Sequence, residues 1–422
     1  MSLTNWAGNL TFGATRTAVP GNVAEVQEAV RAAKKIRVYG SRHCFNDIAD
    51  TPDTHISLEK LNRVVSIDTA GKQVTIEGGI RYSDLGPVLH DKGLDLHNLA
   101  SLPHITVAGA CATATHGSGT TVGNLATAVA GIEFINADGD LVSLSRDGDP
   151  DIFDGVPVNL GALGVITRLT LDAVPAFNVR QSVYQNLPMT ALEANFGTVM
   201  ASGYSVSLFT TWVGDAVEQV WVKSRDDTPS NAAATLGSLG ATAATEKLHP
   251  ATGPQDAANC TEQMGVVGPA YNRLPHFRHD SIPATSGDHQ AEYFVPVEHT
   301  VPAIRALRKF APKLAPVLGV SELRIIAADD LWMSPAYHRP VVGFHFSFGT
   351  NWPALLDVLP GLEEIFAPFN PVPHWGKLFA MPAEKVQASY ARLGDFRALL
   401  DKHDPAGKFR NGFVDRYVFG KA

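Results

Sequence analysis

Apolar positions in the first 175 residues fall into short runs that switch between a period of two and a period near 3.6. Segment 23–34 places Val23, Val26, Ala29 and Val30 on one face and predicts a helix. Ile36–Tyr39 and Ile56-Ser57-Leu58 predict strands. Runs 64–68 and 74–77 flank Ala70-Gly71, and runs 132–135 and 141–144 flank Asp138-Gly139, so two hairpins are predicted. Segment 82–92 predicts a helix closed at Gly93. Residues 167–171 predict a strand after the glycine-bearing loop 159–166. The mixture is α+β. No dinucleotide fingerprint G-x-G-x-x-G stands at a strand-to-helix turn, which argues against ordinary NAD binding.

Beyond Val174-Pro175 the pattern changes. Runs 205–212 and 218–223 predict antiparallel strands, and helical periodicity returns at 301–310 and 352–362. Segment 232–244, rich in Ala, Gly, Ser and Thr, predicts a surface excursion outside the core. Residues 404–411 predict a closing loop, and no internal repeat is evident.

At 422 residues the chain exceeds one ordinary core, so two domains are expected. A net charge of −8 without any basic cluster argues against nucleic acid or an anionic membrane surface as partner. Met1-Ser2-Leu3-Thr4-Asn5-Trp6 lacks the regions of a signal peptide, and no apolar run is long enough to span a bilayer. Cys44, Cys111 and Cys260 lack metal-type spacing and fit a reducing compartment. A soluble cytoplasmic protein is expected. With no exposed heptad or swap segment, so is a monomer.

Candidate chemistry starts at Gly40-Ser41-Arg42-His43-Cys44, directly after Ile36–Tyr39. A tight turn after a strand leaves backbone N–H groups free to meet a diphosphate, with His43 in reach of the same ligand. A second loop runs from Ser101-Leu102-Pro103-His104-Ile105-Thr106-Val107-Ala108-Gly109 to Ala112-Thr113-Ala114-Thr115-His116-Gly117-Ser118-Gly119. Its small residues, hydroxyls and glycines allow a large flat ligand close to the main chain. Together the loops predict a nucleotide-cofactor site. Farther on, Glu322 and Arg324 share a strand face, as do His345 and Ser347 opposite Phe344, Phe346 and Phe348. Trp375 and Lys377 share one too if their segment is extended. A carboxylate beside a guanidinium offers acceptors and donors to vicinal hydroxyls. Taken alone, an ordinary cross-strand charge pair is the commoner use of such a pattern.

The turn G-S-x-H, the second loop and Gly161-Ala162-Leu163-Gly164-Val165-Ile166-Thr167, in that order, resemble the FAD domain of the vanillyl-alcohol-oxidase-type flavoproteins. Within that superfamily the chain is similar to the bacterial alditol oxidase (xylitol oxidase) group. The matching segments are Asn259-Cys260-Thr261-Glu262-Gln263, Leu274-Pro275-His276-Phe277-Arg278, Glu292-Tyr293-Phe294-Val295-Pro296, Glu322-Leu323-Arg324 and Pro373-His374-Trp375-Gly376-Lys377. The resemblance spans nearly the whole chain.

The resemblance implies a two-domain flavoprotein: an FAD domain of residues 1–175 completed by the tail 378–422, and a substrate domain 176–377 built on a large antiparallel sheet. It implies FAD held by Gly40, Ser41, Arg42, His43, Cys44, Ser101, Thr106, Gly109, Ala112, Ala114, Thr115, His116, Gly117, Gly164, Val165, Ile166 and His374, with a covalent bond from His43 to the isoalloxazine 8α-methyl. It implies polyol contacts at Thr106, Glu322, Arg324, His345, Ser347 and Lys377, and catalytic roles for Lys377, Arg324 and His345. No metal enters. The implied reaction turns the terminal primary alcohol of an alditol such as xylitol or sorbitol into the aldose and reduces O2 to H2O2, with His345 or Lys377 as proton acceptor. An aldonolactone or sugar oxidase, or a dehydrogenase of the same superfamily, is the neighbouring expectation. Three positions depart from the group's pattern: Arg42 stands where it has Gly, Cys44 where it has Ser, and Thr106 where it has Ser. The Cβ of Arg42 implies a turn that avoids the φ region glycine enters freely. Cys44 is expected to pack as a small residue.

Overall fold

The computed structural model describes residues 3–251, 255–281 and 287–421; Met1-Ser2, read above for a leader, lie outside the described residues. Asn22 caps the helix Val23–Ala32 by accepting from the Glu25 N–H, and the helix buries Val26 and Val30. Ile36–Tyr39 follows as one edge of a parallel three-stranded sheet with Thr54–Ser57 at its centre and Arg16–Ala18 beyond. Both predicted hairpins form, Val64–Asp68 with Gln73–Glu77 and Val129–Ile135 with Leu141–Ser145. Val165–Asp172 pairs between them and completes five antiparallel strands.

The large sheet has nine strands. Its path runs Thr242–Ala243, Asn178–Pro188, Ala216–Arg225, Ser205–Thr210, Leu318–Ile326, Val341–Phe348, His289–Pro296, Val372–Pro373, and Val267–Pro269 pairs with Asn178–Pro188. Phe209, Glu322, His345 and Glu292 stand opposite one another across four neighbouring strands. Alternation puts Arg324 and Ser347 on the same face. The other face carries Leu323, Phe344, Phe346, Phe348 and Tyr293, all buried. It packs on helices Thr300–Leu314 and Trp352–Phe366, where the Phe366 ring lies 5.1 Å from Phe344 and 5.5 Å from Tyr293. Burying each phenylalanine is worth about 2 kcal/mol. A one-residue slip would turn the apolar set toward the polar side, so the register is fixed.

Two expectations need correction. Segment 232–244 is not an excursion: Ala232–Ser238 is a short helix that buries Leu236, and Thr242–Ala243 adds an edge strand against Asn178–Pro188. Its small residues signalled looseness but allow close packing. Trp375 and Lys377 do not share a face, because a turn closes there with the Lys377 N–H donating to the His374 carbonyl at 3.0 Å. Trp375 is buried against Tyr390 instead.

The C-terminal tail is tied to the N-terminal third by buried polar groups. Arg37 donates to the carbonyls of Gly161 and Phe409 at 2.9 Å, of Leu160 at 2.6 Å and of Ile48. Asn411 donates to the carbonyls of Asp47, Ile48 and Asp50 at 2.8 to 3.1 Å. Lys408 reaches those of Val30 and Ala137 at 3.0 and 2.7 Å. No helix among the described residues is long and apolar enough to cross a membrane.

Candidate active site

Two chambers share the 40–43 turn as lining. One, about 780 Å³, is lined by Gly40, Ser41, Arg42 and His43 with Thr106, Gly109, Asn159 and Gly164. The other, about 750 Å³, shares the turn and Thr106 and extends to Glu292, Glu322, Arg324, His345, Ser347 and Lys377. Volumes of this order suit a cofactor and a small substrate.

Local structure explains the first chamber. Ser41, Arg42 and His43 make no hydrogen bond through their amides among the described residues, so these donors are free for a ligand. A Cβ at Gly40 would stand 2.0 Å from Thr106 Oγ1, so only glycine lets the two loops meet. Arg42 overturns the expectation from its Cβ: its φ is +59°, in the left-handed region. Its guanidinium donates to the Thr4 carbonyl at 2.8 Å and its carbonyl accepts from the Trp6 N–H, two ties that hold the unusual backbone. The charge is thereby turned to the N-terminal segment. Cys44 packs against the core, and burial pushes its thiol up to about 11, so it stays unreactive. The His43 ring lies 4.4 Å from the Trp6 ring; burial, with Lys377 and His104 nearby, lowers its pKa to about 4 and keeps it neutral.

FAD fits these residues: a chamber of about 780 Å³, a turn of unpaired amides, a close loop contact that a side chain would fill, and a neutral histidine.

The second chamber is organised by Glu292, which sequence reasoning left without a role. Its carboxylate is buried and meets three cationic or hydrogen-bonding groups: Lys377 Nζ at 2.7 Å, His116 Nε2 at 3.1 Å and Arg324 Nη2 at 3.3 Å. Burial alone would raise the Glu292 pKa, but Lys377, His116 and Arg324 overcome it and hold it well below the carboxylate range. Gly343 makes room for this carboxylate, since a Cβ there would stand 2.7 Å from Oε1. Arg324 also donates to Ser101 Oγ and the His116 carbonyl, both at 3.2 Å, and lies 3.5 Å from Glu322 Oε1. Glu322 accepts from His276 Nε2 at 2.8 Å. Despite burial, Arg324 and His276 hold Glu322 far below its usual range. Burial and Lys377 lower the His345 pKa to about 3, and its Nδ1 has no partner.

Most sequence-predicted residues therefore border one cleft: Gly40, Ser41, Arg42, His43, Cys44, Ser101, Thr106, Gly109, Ala112, Thr115, His116, Gly164, Ile166, Glu322, Arg324, His345, Ser347, His374 and Lys377. Ala114, Gly117 and Val165 do not. Ala114 and Val165 are buried in apolar clusters, and Gly117 abuts Asn98 and Leu99. A strand run of alternating character singled out Glu322 and His345. Glu292 carried the same signal, one acid among Ala291, Tyr293 and Val295, and His276 carried none because it sits in a loop.

Residues 14–145 match an FAD binding domain profile and residues 285–417 a D-arabinono-1,4-lactone oxidase profile. Alditol oxidase from a Streptomyces species is 43% identical over 98% of both chains. The chain belongs to the alditol oxidase family of vanillyl-alcohol-oxidase-type flavoproteins. Within this family it is an FAD-dependent oxidoreductase. More distant is L-gulonolactone oxidase from Mus musculus, 28% identical over 98% of both chains. Among solved structures, cholesterol oxidase from B. sterolicum shares the fold at a TM-score of 0.77 and 16% identity, covering 99% of this chain and 96% of that one. A carbohydrate oxidase from Microdochium nivale reaches 0.77 at 15% identity, covering 98% and 94%.

Proposed function

We propose that this chain oxidises the terminal primary alcohol of an alditol of xylitol or sorbitol length to the aldose, with O2 reduced to H2O2. The observation that carries the reading is that Glu322, Arg324, His345 and Lys377 border the same chamber as His43. Bound FAD would supply a two-electron acceptor for the alcohol and a route for those electrons to O2. Everything else falls to the protein. Arg324 and Lys377 put positive charge where the alcohol oxygen gains negative charge. Glu292, at 2.7 Å from Lys377 Nζ, favours the ammonium against the burial that lowers it, so Lys377 donates. His345, which borders the chamber and is held neutral by burial, is then the proton acceptor. Glu322 holds hydroxyls farther along the substrate, with Thr106 and Ser347 offering hydroxyls of their own.

Covalent attachment of FAD through His43 belongs to the same proposal, because a neutral imidazole has the lone pair that a bond to the 8α-carbon requires. The ties of Arg37, Lys408 and Asn411 support assigning 1–175 with 378–422 to the FAD unit and 176–377 to the substrate unit. Lactone oxidation is the second reading, favoured by the lactone oxidase profile on residues 285–417.

The test uses purified protein under air with xylitol as sole donor. Stoichiometric peroxide is expected, together with yellow colour that stays in an acid precipitate and leaves it in His43→Ala. Turnover of L-gulono-1,4-lactone but not xylitol would establish the second reading, and transfer only to a dye would make the protein a dehydrogenase.

A further inference from the structure

Lys223 is 1% exposed and borders neither chamber. A lysine is seldom buried without a reason, because desolvating its charge is costly and a methionine would fill similar space. Its three N–H groups meet three acceptors: the carbonyls of Leu274 and Pro275 (3.1 Å for the latter) and His276 Nδ1 at 3.0 Å. Burial lowers the Lys223 pKa to about 7, and the ammonium present below that pH has no lone pair, so there His276 Nδ1 must accept and its proton must sit on Nε2. That N–H points at Glu322 Oε1, 2.8 Å away. Burial and Lys223 itself lower the His276 pKa to about 4, which keeps the ring neutral and the tautomer single. Oε1 of Glu322 is thus engaged by His276 and Arg324, while Oε2 has no protein partner among the described residues.

We propose that Lys223 is a positioning residue that locks His276 in its Nε2–H tautomer and so aims the free oxygen of Glu322 at a distal hydroxyl of the polyol. The inference rests on the alditol reading for its substrate half; the Lys223–His276 half stands apart from it. Without Lys223, His276 is free to place its proton on Nδ1 and to present a lone pair to the Glu322 carboxylate. The carboxylate would then turn away from the substrate.

Two measurements on the FAD-loaded enzyme decide the matter. In protein labelled with ¹⁵N-histidine, His276 is expected to show protonated Nε2 and unprotonated Nδ1, and Lys223→Met is expected to abolish that pattern. In kinetics, Lys223→Met is expected to raise KM for xylitol about tenfold or more, the loss of one good hydrogen bond to a charged group. Its kcat should change by less than about threefold on the same scale. His276→Leu should repeat the xylitol defect, and His276→Gln, whose amide can accept from Lys223 and donate to Glu322, should restore much of it. This pair also serves if Lys223→Met does not fold. An unchanged His276 spectrum, or a KM for xylitol that stays within about threefold of wild type, overturns the proposal. Absence of wild-type turnover with any polyol would instead sink the alditol reading and the substrate half with it, while the histidine signals would still judge the lock.

Discussion

Glu292 is the residue on which the second chamber turns. One buried carboxylate serves Lys377, His116 and Arg324, and none of the three has another carboxylate as close. Removing one member of such a buried cluster leaves uncompensated charge, at a cost of about 3 kcal/mol or more. Glu292→Gln is therefore expected to lower the free energy of urea unfolding by about that amount and to depress kcat/KM together with it. Unfolding unchanged within error would mean that the cations find their compensation elsewhere. At the same scale Arg42 shows how a non-glycine residue holds a left-handed turn: its side chain and its carbonyl are each bonded to the 4–6 segment.

At the scale of elements, strand register decides which side chains meet. Leu318–Ile326, Val341–Phe348 and His289–Pro296 bring Glu322, His345 and Glu292 into one row, and Gly343 opposes Arg324 in the next. A methyl group on Gly343 would collide with Glu292 Oε1 across this seam. Gly343→Ala is accordingly expected to keep the far-UV spectrum while lowering kcat/KM by about tenfold to a hundredfold, the range for a misplacement near 1 Å. Wild-type kinetics in that variant would show that the seam has slack. Period-two alternation made Glu322, Arg324, His345 and Ser347 legible in the sequence, and the three phenylalanines opposite fixed which face was polar. Glu292 lies 85 residues from Lys377 and 176 from His116, and nothing local announces partners so distant. The role of Lys223 was hidden for the same reason, and that of His276 because a loop carries no alternation. The turn at Trp375 was misread because an apolar ring beside a lysine fits an extended segment as well as a reversed one.

For the whole molecule, buried neutral histidines set the response to acid. Burial lowers the pKa of His276 to about 4 and of His345 to about 3, below the 6.5 of a free imidazole. Only the unfolded chain takes up these protons as the pH falls through 6.5, so stability is full above that value and declines toward pH 4. Each group contributes a slope of up to about 1.4 kcal/mol per pH unit. Urea midpoints are expected to fall steadily between pH 7 and pH 4.5, and His276→Gln should flatten the slope by one group's share; a level profile would contradict the burial of both rings. Glu292 and Glu322, held low by their cationic neighbours, add to the decline only once the pH passes below the ordinary carboxylate range.

Arg37 reaches forward 124 residues to Gly161 and 372 residues to Phe409, and so binds the earliest strands to a tail made long after them. During synthesis the ribosome would have to release Phe409 and Asn411 before the floor under the 40–43 turn could close. A nascent chain that has completed only its first half would hold His43 on an unfinished scaffold, and the covalent attachment proposed above would then be an event of the finished polypeptide.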